Sequence, residues 1–319
     1  MITLYHFCFN VDRLPFGLAN RVISESWVAV DIFMLLSGFG IYVSLSKSGR
    51  LFSEYIKRRA LRILPAYYLV IIVYLIVCGF RGGLKLREIV ANLTFTAYWN
   101  DYLCQFNWYT SVIVVFYLIA PLFFYFISRS EKKGLTSLFI CIAVVVFNLG
   151  FIDHSGYSSI SRLPVFIYGM YLGSRYMDER EDYERKIWIP YIAVSLIVMV
   201  AGFYLIYLGD NFLYSNMSLW TCFECYVSGI TAPGIIICSI GLMELLYRIP
   251  YLGRLIKNVI ETIGKASYEI YLIHLLILFI NPGLSYEKNA IKVPWILGSI
   301  LLGILYRYIV EKIKSNYNS

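Results

Sequence analysis

Charge is what this sequence has least of: Asp, Glu, Lys and Arg together supply 15% of 319 residues, where a soluble domain carries about a quarter. With hydrophobic residues at 59%, the chain cannot cover a water-facing surface, which excludes an ordinary soluble domain. Also missing are an internal repeat of about 20 to 50 residues, a low-complexity linker and a polar stretch long enough for a soluble domain. Residues 1–319 therefore read as one integral-membrane domain. The 7 cysteines are scattered. Cys8, Cys78, Cys141 and Cys238 fall within apolar runs, where they read as small buried hydrophobes. The CxxC pair Cys222 and Cys225 has no second ligand pair, which is weak support for metal or redox chemistry, so no metal site is expected.

Apolar runs of spanning length are present at Ser26–Ser46, Ala60–Gly79, Trp108–Ser128, Leu135–Ile152 and Ile160–Arg175. Others follow at Ile187–Leu208, Tyr226–Leu246, Gly264–Ile280 and Val293–Val310. The opening MITLYHFCFN is apolar but shorter than a span and reads as the outer half of a first helix. The expected fold is all-α: a polytopic transmembrane helix bundle of about ten spans, the first truncated. Arg81–Tyr98, with Arg87, Glu88 and Asn92, is too polar to span and is expected as an amphipathic or re-entrant helix at the outer surface.

Lys and Arg set the orientation, because they are retained on the cytoplasmic side. With the amino terminus inside, nineteen of the 28 basic residues fall in cytoplasmic segments and seven in external ones, leaving Arg62 and Arg162 at membrane depth. Both termini are then cytoplasmic. The net charge of +8 is spread over short loops between apolar runs, which suits membrane orientation and gives no reason to expect nucleic acid.

Chemistry must come from polar residues that a bilayer makes costly. His6 lies on the first helix, and Asn10 is one turn further on the same face, where its amide could hold one imidazole nitrogen and fix the tautomer. A neutral imidazole so held can act as a general base towards a hydroxyl; structural hydrogen bonding to a neighbouring helix is the alternative. Arg58, Arg62 and Pro65 share one helical face at the membrane boundary, flanked by Lys57 and Arg59. Paired guanidinium hydrogen bonds suit the phosphates of a cytosolic ligand, whereas lipid headgroup anchoring explains Lys57 and Arg59 equally well. Arg162 opens a helix carrying Gly169 and Gly173, a small-xxx-small packing pair. Glu269 and His274 lie in an otherwise apolar helix, where Glu269 could simply neutralise an arginine.

In order, YHF (Tyr5–Phe7), VDIFMLLSGF (Val30–Phe39), RRALRILPAYY (Arg58–Tyr68), WYTSVIVVFYLIAPL (Trp108–Leu122), RLPVFIYG (Arg162–Gly169) and GKASYEIYLIH (Gly264–His274) resemble the acyltransferase-three family of bacterial integral-membrane O-acyltransferases. The resemblance implies transfer of an acyl group, expected to be acetyl, from cytosolic acyl-CoA to a hydroxyl of a cell-envelope polysaccharide or a lipid-linked sugar acceptor. It places the protein in the bacterial cytoplasmic membrane among membrane lipids, with acyl-CoA as donor substrate and no bound cofactor.

By the same resemblance His6 matches the family's catalytic histidine, which follows an arginine that this sequence has no position for; hence the expectation of an amino-terminally short member. Arg162 is expected to hold the sugar or the developing oxyanion, and Arg58, Arg59 and Arg62 to dock the donor. Asn10, Asp31, Ser37, Trp108, Tyr268, Glu269 and His274 are expected to support them. Many relatives carry Glu after Trp-Ser-Leu-Ser where this chain has Val112, Ile113 and Val114, a departure that points weakly to the polysaccharide-modifying members. A flippase or transporter of lipid-linked sugars is the rival class, but the internal symmetry common in transporters is missing.

Overall fold

The computed structural model describes residues 2–8, 25–47, 52–100, 108–150, 157–178, 189–212, 217–286 and 292–318. Among them there are helices and turns and no strand, as expected where backbone groups must be satisfied without water. The helices are α1 (Ile2–Cys8), α2 (Ala29–Ser46, entered through a 3-10 turn at Glu25–Val28), α3 (Phe52–Phe80), α4 (Leu86–Leu93) and α5 (Trp108–Arg129). There follow α6 (Lys133–Leu149), α7 (Tyr157–Ile160), α8 (Leu163–Asp178), α9 (Ile189–Phe212) and α10 (Met217–Tyr247). The last are α11 (Leu252–Lys265), α12 (Ser267–Ile280), α13 (Gly283–Tyr286) and α14 (Lys292–Asn318).

Five of these are long and apolar enough to cross a membrane: Ser26–Ser46, Phe52–Phe80, Trp108–Arg129, Phe223–Tyr247 and Val293–Ile313. A sixth is added if α11 and α12, bent by 66° at their junction, are counted as one. The expected span at Leu135–Ile152 overlaps a shorter apolar helix, Lys133–Leu149, that at Ile187–Leu208 contains the apolar stretch Ala193–Leu205, and that at Ile160–Arg175 overlaps α8, which runs on to Asp178. The chain is a multi-pass helical membrane protein.

By internal packing it forms two compact units, each drawn from separated segments: Met1–Trp27, Lys57–Ser111 and Leu246–Ser319 make one, and Val28–Ile56 with Val112–Leu245 the other. Because each unit is discontinuous, no composition shift along the sequence marks a boundary.

In the first unit α1 packs on α12, α13 and α14, and α12 packs on α14. Phe7, Tyr67, Ile71 and Leu272 are fully buried there. α4 lies with its polar side inward: Glu88 and Asn92 are buried while Leu86, Val90 and Leu93 are exposed. That inversion is what a lipid-facing helix requires, and it narrows the expected Arg81–Tyr98 helix to Leu86–Leu93. The Glu88 carboxylate accepts from the Lys85 backbone N–H at 3.1 Å, closing the helix start. Tyr67 and Tyr68 donate to the Asn92 and Leu93 carbonyls at 2.7 and 3.0 Å, supplying donors that the last turn lacks.

In the second unit α8 packs on α2 and α6. Glycines at the α2–α8 crossing let the backbones meet: a Cβ on Gly38 would overlap the Phe166 carbonyl, and one on Gly169 the Leu35 carbonyl. Gly173 lies 2.9 Å, measured from a Cβ built on it, from the Phe39 carbonyl oxygen. Gly169 and Gly173 thus form the close-packing pair that their spacing predicts.

Candidate active site

α12 has the sequence SYEIYLIHLLILFI, in which Glu269 and His274 are the ionisable groups other than tyrosine. Both are buried, His274 completely. The His274 Nδ1 lies 3.1 Å from the carbonyl oxygen of Ile270, one turn earlier on the same helix. Its other nitrogen, Nε2, lies 2.9 Å from Nδ1 of His6 on α1. The ring planes differ by 19° with centroids 5.1 Å apart. That separation is too long for face contact, so the bond runs along the ring edges, where nitrogen lone pairs point.

Donor and acceptor roles follow from the far end of the chain. A carbonyl only accepts, so the proton at that end sits on His274 Nδ1, and in the neutral ring Nε2 is then the acceptor. His6 must donate from Nδ1, which leaves the lone pair on its Nε2. Nε2 makes no hydrogen bond among the described residues, and the His6 side chain is half-buried. An imidazole held in one tautomer with its basic nitrogen available is arranged to take a proton. Asn10, expected to hold the tautomer, lies outside the described residues; at Nδ1 the partner is His274, which pattern along one helix could not reveal.

Rings surround the pair. Tyr5 is tilted against His6 at 5.3 Å. Trp108, Tyr109, Tyr271 and His274 follow one another at centroid separations of 6.2, 5.2 and 5.6 Å. The Tyr268 hydroxyl is 3.4 Å from Thr110 Oγ1. Glu269 faces Arg307 at 3.7 Å, and Arg307 also donates to the Lys265 carbonyl. The neutralising arginine anticipated for Glu269 is therefore a residue of α14. At the other end of α12, Arg81 donates from Nη1 to the Phe279 carbonyl at 3.1 Å and from Nη2 to the Ile280 carbonyl at 2.6 Å. It thereby caps carbonyls that the helix itself leaves unpaired. Its place just beyond the Ala60–Gly79 run was the available signal in the sequence.

On α3 of the same unit, Arg58 and Arg62 are exposed and make no ion pair or hydrogen bond among the described residues, so both guanidinium forks are open to a ligand. Arg59 is only partly exposed and is engaged within the protein.

Arg162, Asp31 and Ser37 belong to the second unit. Arg162 is buried, and its Nη1 donates to Asp31 Oδ2 in an ion pair; Ser228 on α10 donates to the same oxygen. The trio joins α2, the start of α8 and α10 through one fully buried carboxylate. Opposite charges at membrane depth were the sequence signal for this pair, whereas Ser228 carried none. Beside Arg162 in the chain, Ser161 accepts from Asn148 at 2.7 Å. Ser37 accepts from the Tyr117 hydroxyl at 3.5 Å, a long contact. Cys225 is buried like any small apolar residue.

The fold defines the class: a multi-pass helical membrane protein, here with a pair of hydrogen-bonded imidazoles and two exposed arginines in one unit. The family model described as an acyltransferase domain matches residues 1–308, and the chain belongs to that family, acyltransferase-three. No curated protein and no solved structure matches it. The protein is thus a membrane acyltransferase.

Proposed function

We propose that the chain transfers an acyl group, acetyl in the simplest case, from cytosolic acyl-CoA to a hydroxyl of a cell-envelope polysaccharide or a lipid-linked sugar. One observation carries the assignment: the Ile270–His274–His6 hydrogen-bond chain, which leaves Nε2 of His6 as an available base. As the acceptor oxygen attacks the thioester carbonyl, its proton passes to His6 Nε2. The new C–O bond forms, the C–S bond breaks, and the proton goes on to the leaving CoA thiolate. His6 becomes cationic during attack, and its bond to His274 is then charge-assisted and stronger than in the resting state.

Arg58 and Arg62 receive the CoA phosphates, since their guanidinium groups are exposed and uncommitted. Arg59 has a lesser part because it is engaged internally. Arg162 is given a structural role in place of an oxyanion contact, because Asp31 neutralises it. The finer topology belongs to the same proposal: ten spans in the bacterial cytoplasmic membrane with both termini inside. Support for it comes from the Lys and Arg bias and from α1, α6, α8 and α9 as additional membrane segments.

The test is incorporation of labelled acetyl from acetyl-CoA into the envelope glycan fraction, using membranes with matched protein levels. Base-labile label is expected, reduced about 100-fold or more by His6→Ala, the range for loss of a general base. Equal incorporation by the variant removes His6 from catalysis. No incorporation by the parent chain favours a transporter.

A further inference from the structure

α11 divides its residues by chemistry more sharply than the spans do. At about 100° per residue, Leu252, Leu255, Ile256, Val259, Ile260 and Ile263 fall within an arc of about 140°. Arg254, Lys257, Glu261 and Lys265 occupy about 80° on the opposite side. The apolar arc is not buried in the protein: Leu252, Leu255 and Val259 are 48%, 61% and 48% exposed, and Ile256, Ile260 and Ile263 on its other flank are half-buried. The helix's buried residue is Gly253, which lies against the Tyr247 backbone.

From this geometry we infer that α11 is an in-plane anchor, lying at the membrane surface with its apolar arc in the acyl boundary and its basic side among anionic lipid headgroups. The 66° bend supplies the orientation. If α12 stands within about 20° of the membrane normal, as spans commonly do, α11 is inclined between about 45° and 85° from it. Such a helix cannot continue the span, and its charged side would be intolerable inside the hydrocarbon.

Charge supplies the choice of lipid. Three basic residues face one acidic one, and Glu261 is shared between Lys257 and Lys265 at 3.9 and 4.0 Å. Arg254 makes no ion pair among the described residues. At the amino-terminal end Tyr251 is 93% exposed, an aromatic ring placed where interfacial rings sit. Because α12 carries His274, the anchor holds the entry to the helix that fixes the His6 tautomer. The inference rests on the membrane setting and not on the reaction proposed above.

Spin labels test it. In a background with the native cysteines replaced, single labels at Leu255→Cys, Val259→Cys, Lys257→Cys and Glu261→Cys are read in nanodiscs for collision with oxygen and with a water-soluble nickel chelate. Oxygen is expected to dominate at positions 255 and 259, and nickel at 257 and 261. High nickel at 255 and 259, low values of both reagents there, or dominant oxygen at 257 overturns the inference, as bare, protein-covered and fully inserted helices respectively. Changing from pure phosphatidylcholine to a mixture with phosphatidylglycerol should raise the oxygen-to-nickel ratio at 255 at least twofold. Arg254→Gln together with Lys257→Gln should abolish that rise. A ratio that ignores lipid charge refutes the anionic preference. Should the cysteine-free background fail to fold, a dansyl-bearing amino acid incorporated at position 255 of the otherwise native chain, read for quenching by brominated lipids, replaces it; no quenching overturns the inference.

Discussion

Replacing His274 with leucine keeps the buried apolar volume but removes the acceptor that receives the His6 Nδ1 proton. In the parent protein this bond is 2.9 Å long, and His274 is itself fixed to Ile270 at 3.1 Å. Its value for catalysis is the difference between the neutral and cationic states of His6. A hydrogen bond to a charged group contributes about 1.5 to 3 kcal/mol. At about 1.4 kcal/mol per tenfold in rate, His274→Leu should lower kcat roughly 10- to 150-fold. KM for acetyl-CoA should hold, because Arg58 and Arg62 are untouched. His274→Gln places an amide oxygen near the former Nε2 and should recover much of the loss. Initial rates of labelled acetyl transfer in nanodiscs, normalised to folded protein, give both parameters. A leucine variant within twofold of the parent refutes the tautomer lock, and so does a glutamine variant no better than leucine.

Three other outcomes are expected. Gly38→Ala and Gly169→Ala must push α2 and α8 apart, costing about 1 to 3 kcal/mol each. Gly40→Ala, with open space around it, should be neutral or slightly stabilising in the same thermal unfolding measurement. Arg162→Met strands the Asp31 carboxylate in the interior and should cost about 3 to 5 kcal/mol, whereas the double variant with Asp31→Leu should recover most of it, as read by denaturation in detergent. Arg62→Lys keeps the charge but loses the planar fork, and should weaken acetyl-CoA binding by about 1.5 to 3 kcal/mol in a nanodisc titration with topology unchanged.

Much of the architecture was legible because a bilayer imposes a length and a composition that can be counted residue by residue. The span expected at Ser26–Ser46 is present with those bounds, and Trp108–Ser128 differs from its helix by one residue. The Gly169 and Gly173 pair was legible for a similar reason, since four-residue spacing puts both on one face. Glu269 was understood as a carboxylate awaiting an arginine, but its partner comes from α14, near the far end of the chain.

Local pattern and physical chemistry alone determined the all-helical class, the membrane setting, the shared face of Arg58 and Arg62 and the suspicion attached to His6. These follow from side-chain type and helical period, which need no knowledge of neighbours. Tertiary structure decided the rest. It brought His274 to His6 across 268 positions, gave Arg162 to Asp31 and Ser228, turned the polar side of α4 inward, and broke the expected Gly264–Ile280 span from α11 at 66°. Which buried polar group meets which is set by helix packing between distant segments. A single sequence records that each such group needs a partner, while only the fold selects it.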